Sequence, residues 1–213
     1  MTKIMLVDDH DLVRTGVRRL LEDNPDLEIV GEACSGEEAI SLVRELNPDV
    51  VLMDLNMPGI GGLEATKKIK HLSPQVRIII VTMVDDTMFP QRLLKAGASG
   101  YLTKGAKTEE IMRAIRDVMV NKRYVSPDLA LRMATAVDDN KSPFAGLSER
   151  ELQVLMMLME GQRVSEISNS LFLSPKTIST YRARLHEKVG VKTDIELTRL
   201  AIEHGIISGN PKH

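Results

Sequence analysis

The chain has 213 residues, 43% of them hydrophobic and 27% charged, with a formal net charge of −2. That balance excludes a disordered or low-complexity chain, and the single cysteine, Cys34, excludes an intramolecular disulfide scaffold. The run Ile4-Met5-Leu6-Val7 is too short for a signal peptide, and no later run approaches the roughly 20 apolar residues a membrane helix needs, so the reading is a cytoplasmic protein without a membrane partner.

Ile4 to Val7 is continuously apolar, as a strand buried on both faces of a parallel sheet is. Leu12, Val13, Val17, Leu20 and Leu21 then recur at helical spacing. Glu28 to Ala33 is a second strand. Ser35-Gly36-Glu37-Glu38 has the form of a capping box and opens a helix towards Leu46. Val50 to Met53 is a third strand, followed by a helix from Leu63 to Leu72. Ile78 to Val81 is a fourth strand, followed by a helix from Phe89 to Ala96 that admits Pro90 only in its first turn. Gly100-Tyr101-Leu102 is a short fifth strand and Thr108 to Met119 a fifth helix. Strand and helix alternate five times, which predicts a doubly wound α/β domain with a five-stranded parallel sheet over residues 1–122.

The rhythm then changes. Ser126-Pro127 opens a short helix, Asp128 to Ala136, and Val137 to Gly146 reads as a flexible linker, so residues 123–146 join two domains. From Leu147 no strand is apparent. Ser148-Glu149-Arg150-Glu151 is a capping box for a helix that stops near Gly161. Val164 to Leu171 is a short helix. Ser174-Pro175 caps one that ends near Gly190, and Thr193 to His204 is the last. Residues 147–213 are therefore an all-α domain of four helices. Between 176 and 192 lie five basic residues (Lys176, Arg182, Arg184, Lys188, Lys192) and one acid, Glu187. This stripe fits either a phosphate backbone or a solvated helix face.

In an open α/β sheet, ligands bind beyond the carboxyl ends of the strands. Asp8 and Asp9 follow the first strand and Asp54 follows the third. Carboxylates brought so close repel unless protons or a cation intervene, and such oxygen ligands suit Mg²⁺. Asp54 then qualifies as a nucleophile that forms an acyl phosphate. Thr82 ends the fourth strand with a hydroxyl and Lys104 ends the fifth with an ammonium, each suited to phosphoryl oxygens.

Asp8-Asp9, Asp54-x-x-Met57-Pro58-Gly59, Thr82 and Tyr101-Leu102-Thr103-Lys104 resemble the receiver domain of two-component response regulators. The resemblance implies phosphoryl transfer from a cognate hybrid sensor histidine kinase to Asp54. It implies Mg²⁺ held by Asp8, Asp9, Asp54 and the main-chain carbonyl of Asn56, and a switch in which Thr82 turns inward and Tyr101 rotates into the vacated space. Met83, where the family often has a small residue, is expected to restrict access and so to alter phosphoryl lifetime.

Residues 146–207 resemble the LuxR-type helix-turn-helix of the NarL/FixJ family, through Leu147-Ser148-Glu149-Arg150-Glu151, Leu173-Ser174-Pro175-Lys176-Thr177-Ile178 and Lys188-Val189-Gly190-Val191. Within that family, Pro58-Gly59-Ile60-Gly61-Gly62-Leu63-Glu64 is similar to the GacA/UvrY/SirA group. The resemblance implies a bacterial transcription regulator, not an enzyme. Double-stranded DNA and RNA polymerase are its partners, and it is a homodimer when active. Ser174 to Val189 is the implied recognition helix, whose N-terminal half enters the major groove. Lys176, Thr177, Ser179, Thr180, Arg182 and Ala183 lie in that half. Ser179, Thr180 and Ala183 take the positions that face base edges. They are small or hydroxyl side chains where relatives often carry lysine, so specificity leans on Arg182 and on DNA shape. Arg184 and Lys188, with Lys176 and Lys192, are expected on phosphates. Ile195, Leu197, Ala201 and Ile202 of the last helix are expected at the dimer contact.

A Mg²⁺-dependent phosphatase with a turnover aspartate is the main rival. It needs a second acid two residues after the nucleophile, and that residue is Asn56. A ligand-sensing regulator needs a small-molecule pocket in place of the Asp8/Asp9/Asp54/Lys104 set.

Overall fold

A computed structural model describes residues 1–82, 88–127, 130, 142–204 and 206. They form two compact units, the first closing at Pro127.

The first unit is a parallel sheet alternating with helices: β1 (Thr2–Val7), α1 (Asp11–Glu22), β2 (Leu27–Ala33), α2 (Gly36–Leu46), β3 (Val50–Asp54), α3 (Gly61–Leu72), β4 (Arg77–Thr82), α4 (Met88–Lys95), β5 (Gly100–Thr103) and α5 (Thr108–Met119). The continuous apolar runs became the central strands, with Ile4, Met5, Val50, Val51, Ile78, Ile79 and Ile80 fully buried. The strand order is β2-β1-β3-β4-β5-β6, so the sheet has six strands where the sequence predicts five. The sixth, β6 (Tyr124–Val125), pairs parallel to β5 through Gly100 and Tyr101. Two residues carry no periodicity to read. Asn121, at φ 58°, turns the chain after α5, and buried Tyr124 donates from its hydroxyl to Glu110 Oε1 at 3.2 Å. The expected domain end at residue 122 therefore falls inside the sheet unit.

The Ser35 cap forms as read, its hydroxyl accepting from the Glu38 amide at 3.2 Å. The reciprocal half does not: the Glu38 carboxylate accepts from the Cys34 amide at 2.7 Å.

One close approach fixes how α3 meets the sheet. A Cβ on Gly62 would stand 2.0 Å from the Asp54 carbonyl oxygen and 2.9 Å from Leu55 Cα. Both are backbone atoms and cannot swing away. Gly62→Ala is expected to destabilise this unit by about 3 kcal/mol, read as a lowered midpoint in urea, because overpacking against backbone forces the strand end to shift.

The second unit holds α6 (Glu149–Met159), α7 (Val164–Ser170), α8 (Pro175–Val189) and α9 (Asp194–Glu203). Reciprocal capping boxes start α6 at Ser148 with Glu151 and α9 at Thr193 with Glu196. Ser174 caps α8 ahead of Pro175, and left-handed Gly190 ends it. Ile178, Leu185 and Val189 form its buried stripe. Residues 142–146, expected as linker, are folded: Phe144 is fully buried and its ring meets His204 edge-on at 5.9 Å. The expected helix from Asp128 to Ala136 and the rest of the linker lie almost wholly outside the described residues.

Candidate functional site

β1 and β3 are neighbours with Val7 opposite Met53, so Asp8 and Asp54 emerge side by side at the carboxyl end of the sheet. Lys104, just beyond β5, bridges them, with Nζ 2.7 Å from Asp8 Oδ2 and 3.0 Å from Asp54 Oδ2. Thr82 is buried at the end of β4, one residue past Val81, which pairs with Asp54. Its carbonyl accepts from the Lys104 amide at 2.8 Å, which fixes where the lysine starts. The Tyr101 ring is buried in the middle of β5. Asp54 Oδ1 accepts from the Leu55 amide at 2.7 Å, and the Asn56 amide lies 3.4 Å away. Met83 lies outside the described residues.

The electrostatics follow from burial. An apolar crevice lined by Leu6, Val13, Val17, Leu52, Val81 and Ile111 runs beneath Asp8 and Asp54. Burial pushes the Asp54 carboxyl up to about 6 against the pull of Lys104, and the Asp8 charge adds to the rise. Burial also works against the Lys104 ammonium, but the Asp54 and Asp8 carboxylates outweigh it and hold its pKa above the ordinary lysine value. The lysine therefore stays charged wherever the carboxylates are ionised.

Sequence reading missed three contributors. His10 Nδ1 lies 3.0 Å from Asp9 Oδ1 and 3.3 Å from Asp8 Oδ1, and the Asp-Asp-His run was the available signal. Arg14 donates from Nη1 to the Asp8 carbonyl at 2.7 Å and from Nε to Glu32 Oε2 at 2.8 Å, which ties the strand end to α1. Glu37 reaches the loop after β3, accepting from the Ile60 amide at 3.1 Å.

The donor set fits a hard divalent cation. One ligand atom from each of Asp8, Asp9, His10 and Asp54 lies within 4.8 Å of all the others. Asp9 Oδ1 is buried yet accepts no hydrogen bond, although His10 Nδ1 is near it. A buried carboxylate oxygen without a donor is costly unless a cation satisfies it.

In the helical unit, Lys176, Ser179, Thr180, Ala183 and Arg184 are exposed along one side of α8. The Ser179 and Thr180 hydroxyls donate to the Pro175 and Lys176 carbonyls, each at 2.9 Å. The Thr177 hydroxyl sits 2.8 Å from Ser174 Oγ and belongs to the cap. Two expected DNA contacts are engaged elsewhere. Arg182 grips Asp194 with Nε at 2.8 Å and Nη2 at 2.6 Å, and His186 Nε2 approaches the same carboxylate at 2.9 Å. Lys188 Nζ lies 2.7 Å from Glu151 Oε2 and 3.3 Å from the Gly146 carbonyl.

The last helix needs a correction. Leu197 and Ala201 are fully buried and cannot present a dimer surface, whereas Ile195 and Ile202 are exposed. Spacing explains the split: 197 and 201 share one face, 195 and 202 another. No helix among the described residues is long and apolar enough to cross a membrane.

Residues 4–116 match the family "Response regulator receiver domain" and residues 145–201 match "Bacterial regulatory proteins, luxR family". The chain is 49% identical to "Response regulator GacA" of Pseudomonas aeruginosa over 97% of its own length and 98% of that protein. It is 49% identical to "Response regulator UvrY" of Escherichia coli K12 over 97% of its length and 96% of that protein. Among solved structures, it is similar to RcsB of Salmonella enterica serovar Typhimurium bound to promoter rprA in the presence of phosphomimetic BeF3-. That match has a TM-score of 0.70 and 28% identity, and covers 94% of this chain and 98% of that one.

Proposed function

Because the chain belongs to the response regulators that join a receiver domain to a LuxR-type DNA-binding domain, we propose that Asp54 is its phosphoryl acceptor and that phosphorylation there switches the C-terminal domain to dimeric DNA binding and transcription activation. The observation that carries this is the Lys104 ammonium held between Asp8 and Asp54 at the carboxyl end of the sheet. Such a lysine has no ordinary packing role there and is placed to meet a phosphoryl oxygen.

An Asp54 oxygen attacks the phosphorus of a phosphohistidine on a sensor kinase. The P–N bond breaks, its electron pair stays on the imidazole nitrogen, and an acyl phosphate forms. With a carboxyl pKa of about 6, Asp54 is largely ionised at pH 7 and available as the nucleophile. Lys104 then exchanges its contact with Asp54 for a phosphoryl oxygen. Thr82 turns towards the same group and Tyr101 shifts with it, so a local charge change biases a bistable packing arrangement. Mg²⁺ is the cation we assign to Asp8, Asp9, Asp54 and the Asn56 carbonyl, where it supplies charge neutralisation for the incoming phosphoryl group.

On α8, Lys176 and Arg184 are the proposed phosphate contacts, and Ser179, Thr180 and Ala183 the face turned to base edges. Arg182 and Lys188 are left out of this set, because each is paired within the domain, with Asp194 and Glu151. Ile195 and Ile202 are the proposed dimer contact. A hybrid sensor kinase and RNA polymerase are the partners this reading requires, in the cytoplasm.

The test is incubation of the full chain with phosphoramidate and Mg²⁺, followed for retained label, oligomeric state and binding to double-stranded DNA. Stable label with dimer formation and tighter DNA binding is the expected result. Steady release of phosphate without retained label would instead mark a turnover phosphatase.

A further inference from the structure

We infer that Glu37 is a positioning residue for the acidic site, holding the β3–α3 loop in the shape that presents the Asn56 carbonyl to a cation; the inference rests on the cation reading above. The loop runs from Leu55 to Ile60, and close contacts fix it at both ends. At its base the Gly62 amide donates to the Leu55 carbonyl at 3.0 Å, with Gly62 pressed on the Asp54 carbonyl. At its tip, the Glu37 carboxylate accepts from the Ile60 amide at 3.1 Å.

The tip contact is tight. Gly59 has φ +73°, and a Cβ there would stand 2.5 and 2.6 Å from the two Glu37 oxygens. The carboxylate therefore lies directly against the main chain at Gly59, a seat that exists only because that residue has no side chain. The start of α2 is equally close. A Cβ on Gly36 would meet Ile60 Cγ1 at 2.8 Å and the Gly61 carbonyl at 3.1 Å. Two glycines thus let α2 and the loop approach until Glu37 can reach, and Asn56 lies on the stretch between clasp and base. A loop free at its tip would have to order itself each time a cation bound. A clasped loop has already lost that freedom.

A blander role for Glu37 is a favourable charge in the first turn of α2. Three variants of the full chain separate the two. Glu37→Gln keeps an acceptor oxygen at full reach without the charge. Glu37→Asp keeps the charge but is one methylene short of Ile60. Glu37→Ala removes both. Mg²⁺ is titrated against the amide resonances of Leu55 and Asn56, with the melting temperature and the Ile60 amide exchange rate recorded alongside.

Outer partners that orient metal ligands typically carry 10–100-fold in affinity, so Ala and Asp are expected to weaken Mg²⁺ binding about tenfold while Gln stays within about twofold of wild type. Faster Ile60 exchange should accompany the weaker binding. Unchanged Mg²⁺ affinity in folded Glu37→Ala would overturn the inference while leaving the site reading intact. Equal losses in Gln and Ala would also overturn it, since charge alone would then be the cause. Wild-type protein that neither binds Mg²⁺ nor retains label would bring down the site reading itself, and this inference with it.

Discussion

Asp54→Asn is expected to lose all retained phosphoryl label and yet, without added cation, to melt at a higher temperature than wild type at pH 7. The loss follows because the amide nitrogen and oxygen offer no anionic nucleophile. The gain follows from burial. The folded protein raises the Asp54 carboxyl from 3.8 to about 6, so its ionised form is disfavoured in the fold. A group whose pKa is raised on folding contributes stability at pH below 3.8 and loses it as pH climbs through 6. A rise of roughly two units corresponds to a penalty of about 3 kcal/mol above that window. Asparagine escapes the penalty but gives up the charge facing Lys104, which keeps Asp8 at 2.7 Å. The net expectation is a gain of about 1–2 kcal/mol, or roughly 5 °C for a domain of this size. The gain should shrink towards nothing near pH 4, where wild-type Asp54 is protonated. Added Mg²⁺ should raise the wild-type melting temperature more than the mutant's, because only the wild type keeps the full carboxylate set. Label retained by the mutant would move the acceptor to another residue. A stability gain that ignored pH would mean packing, not charge.

Legibility in the sequence divided along physical lines. Strands buried on both faces announced themselves as unbroken apolar runs, and the residues closing three of those runs, Asp8, Asp54 and Thr82, belong to the site. What stayed hidden was pairing across distance. Glu37 meets an amide 23 residues later, and nothing in a capping-box sequence says that its third residue will clasp a loop. Arg182 and Lys188 looked like members of a basic stripe because charge is visible in sequence and partnership is not: their carboxylates lie 12 residues ahead and 37 behind. The last helix is apolar on more than one face, so periodicity alone did not say that Leu197 and Ala201 would turn inward and leave Ile195 and Ile202 outside. A two-residue strand such as β6 has no pattern at all and exists because Asn121 and Tyr124 bring it to the sheet edge.

Lys188 supplies the other large expected effect, and it separates a structural cation from a DNA contact. Its ammonium meets Glu151, which is only 2% exposed although it carries a carboxylate. That carboxylate also accepts from the Ser148 amide at 2.7 Å and the Ser148 hydroxyl at 2.9 Å. Burial alone would raise the Glu151 pKa. Lys188 and the two Ser148 donors overcome burial and hold it below the ordinary carboxylate value. Lys188→Met keeps the aliphatic stem and strands the buried charge. Breaking one side of a fully buried pair costs roughly 3–5 kcal/mol, and because the lysine is partly exposed and Ser148 remains, about 2–3 kcal/mol is expected here. That should lower the melting temperature of the C-terminal domain by 10 °C or more at pH 7. A pKa lowered on folding contributes stability above the ordinary value of 4.5 and loses it as pH falls through the folded value, so the wild-type advantage over the mutant should narrow in acid. The contrast is Lys176→Ala. Lys176 is exposed and its side chain makes no hydrogen bond or ion pair among the described residues, so its loss should change stability by less than about 0.5 kcal/mol while flattening the salt dependence of DNA binding by roughly 0.9 in the log–log slope. Lys188→Met should leave that slope unchanged in protein that remains folded. If the two variants exchanged signatures, Lys188 would be the phosphate contact after all, and Glu151 would have to be held by Ser148 alone.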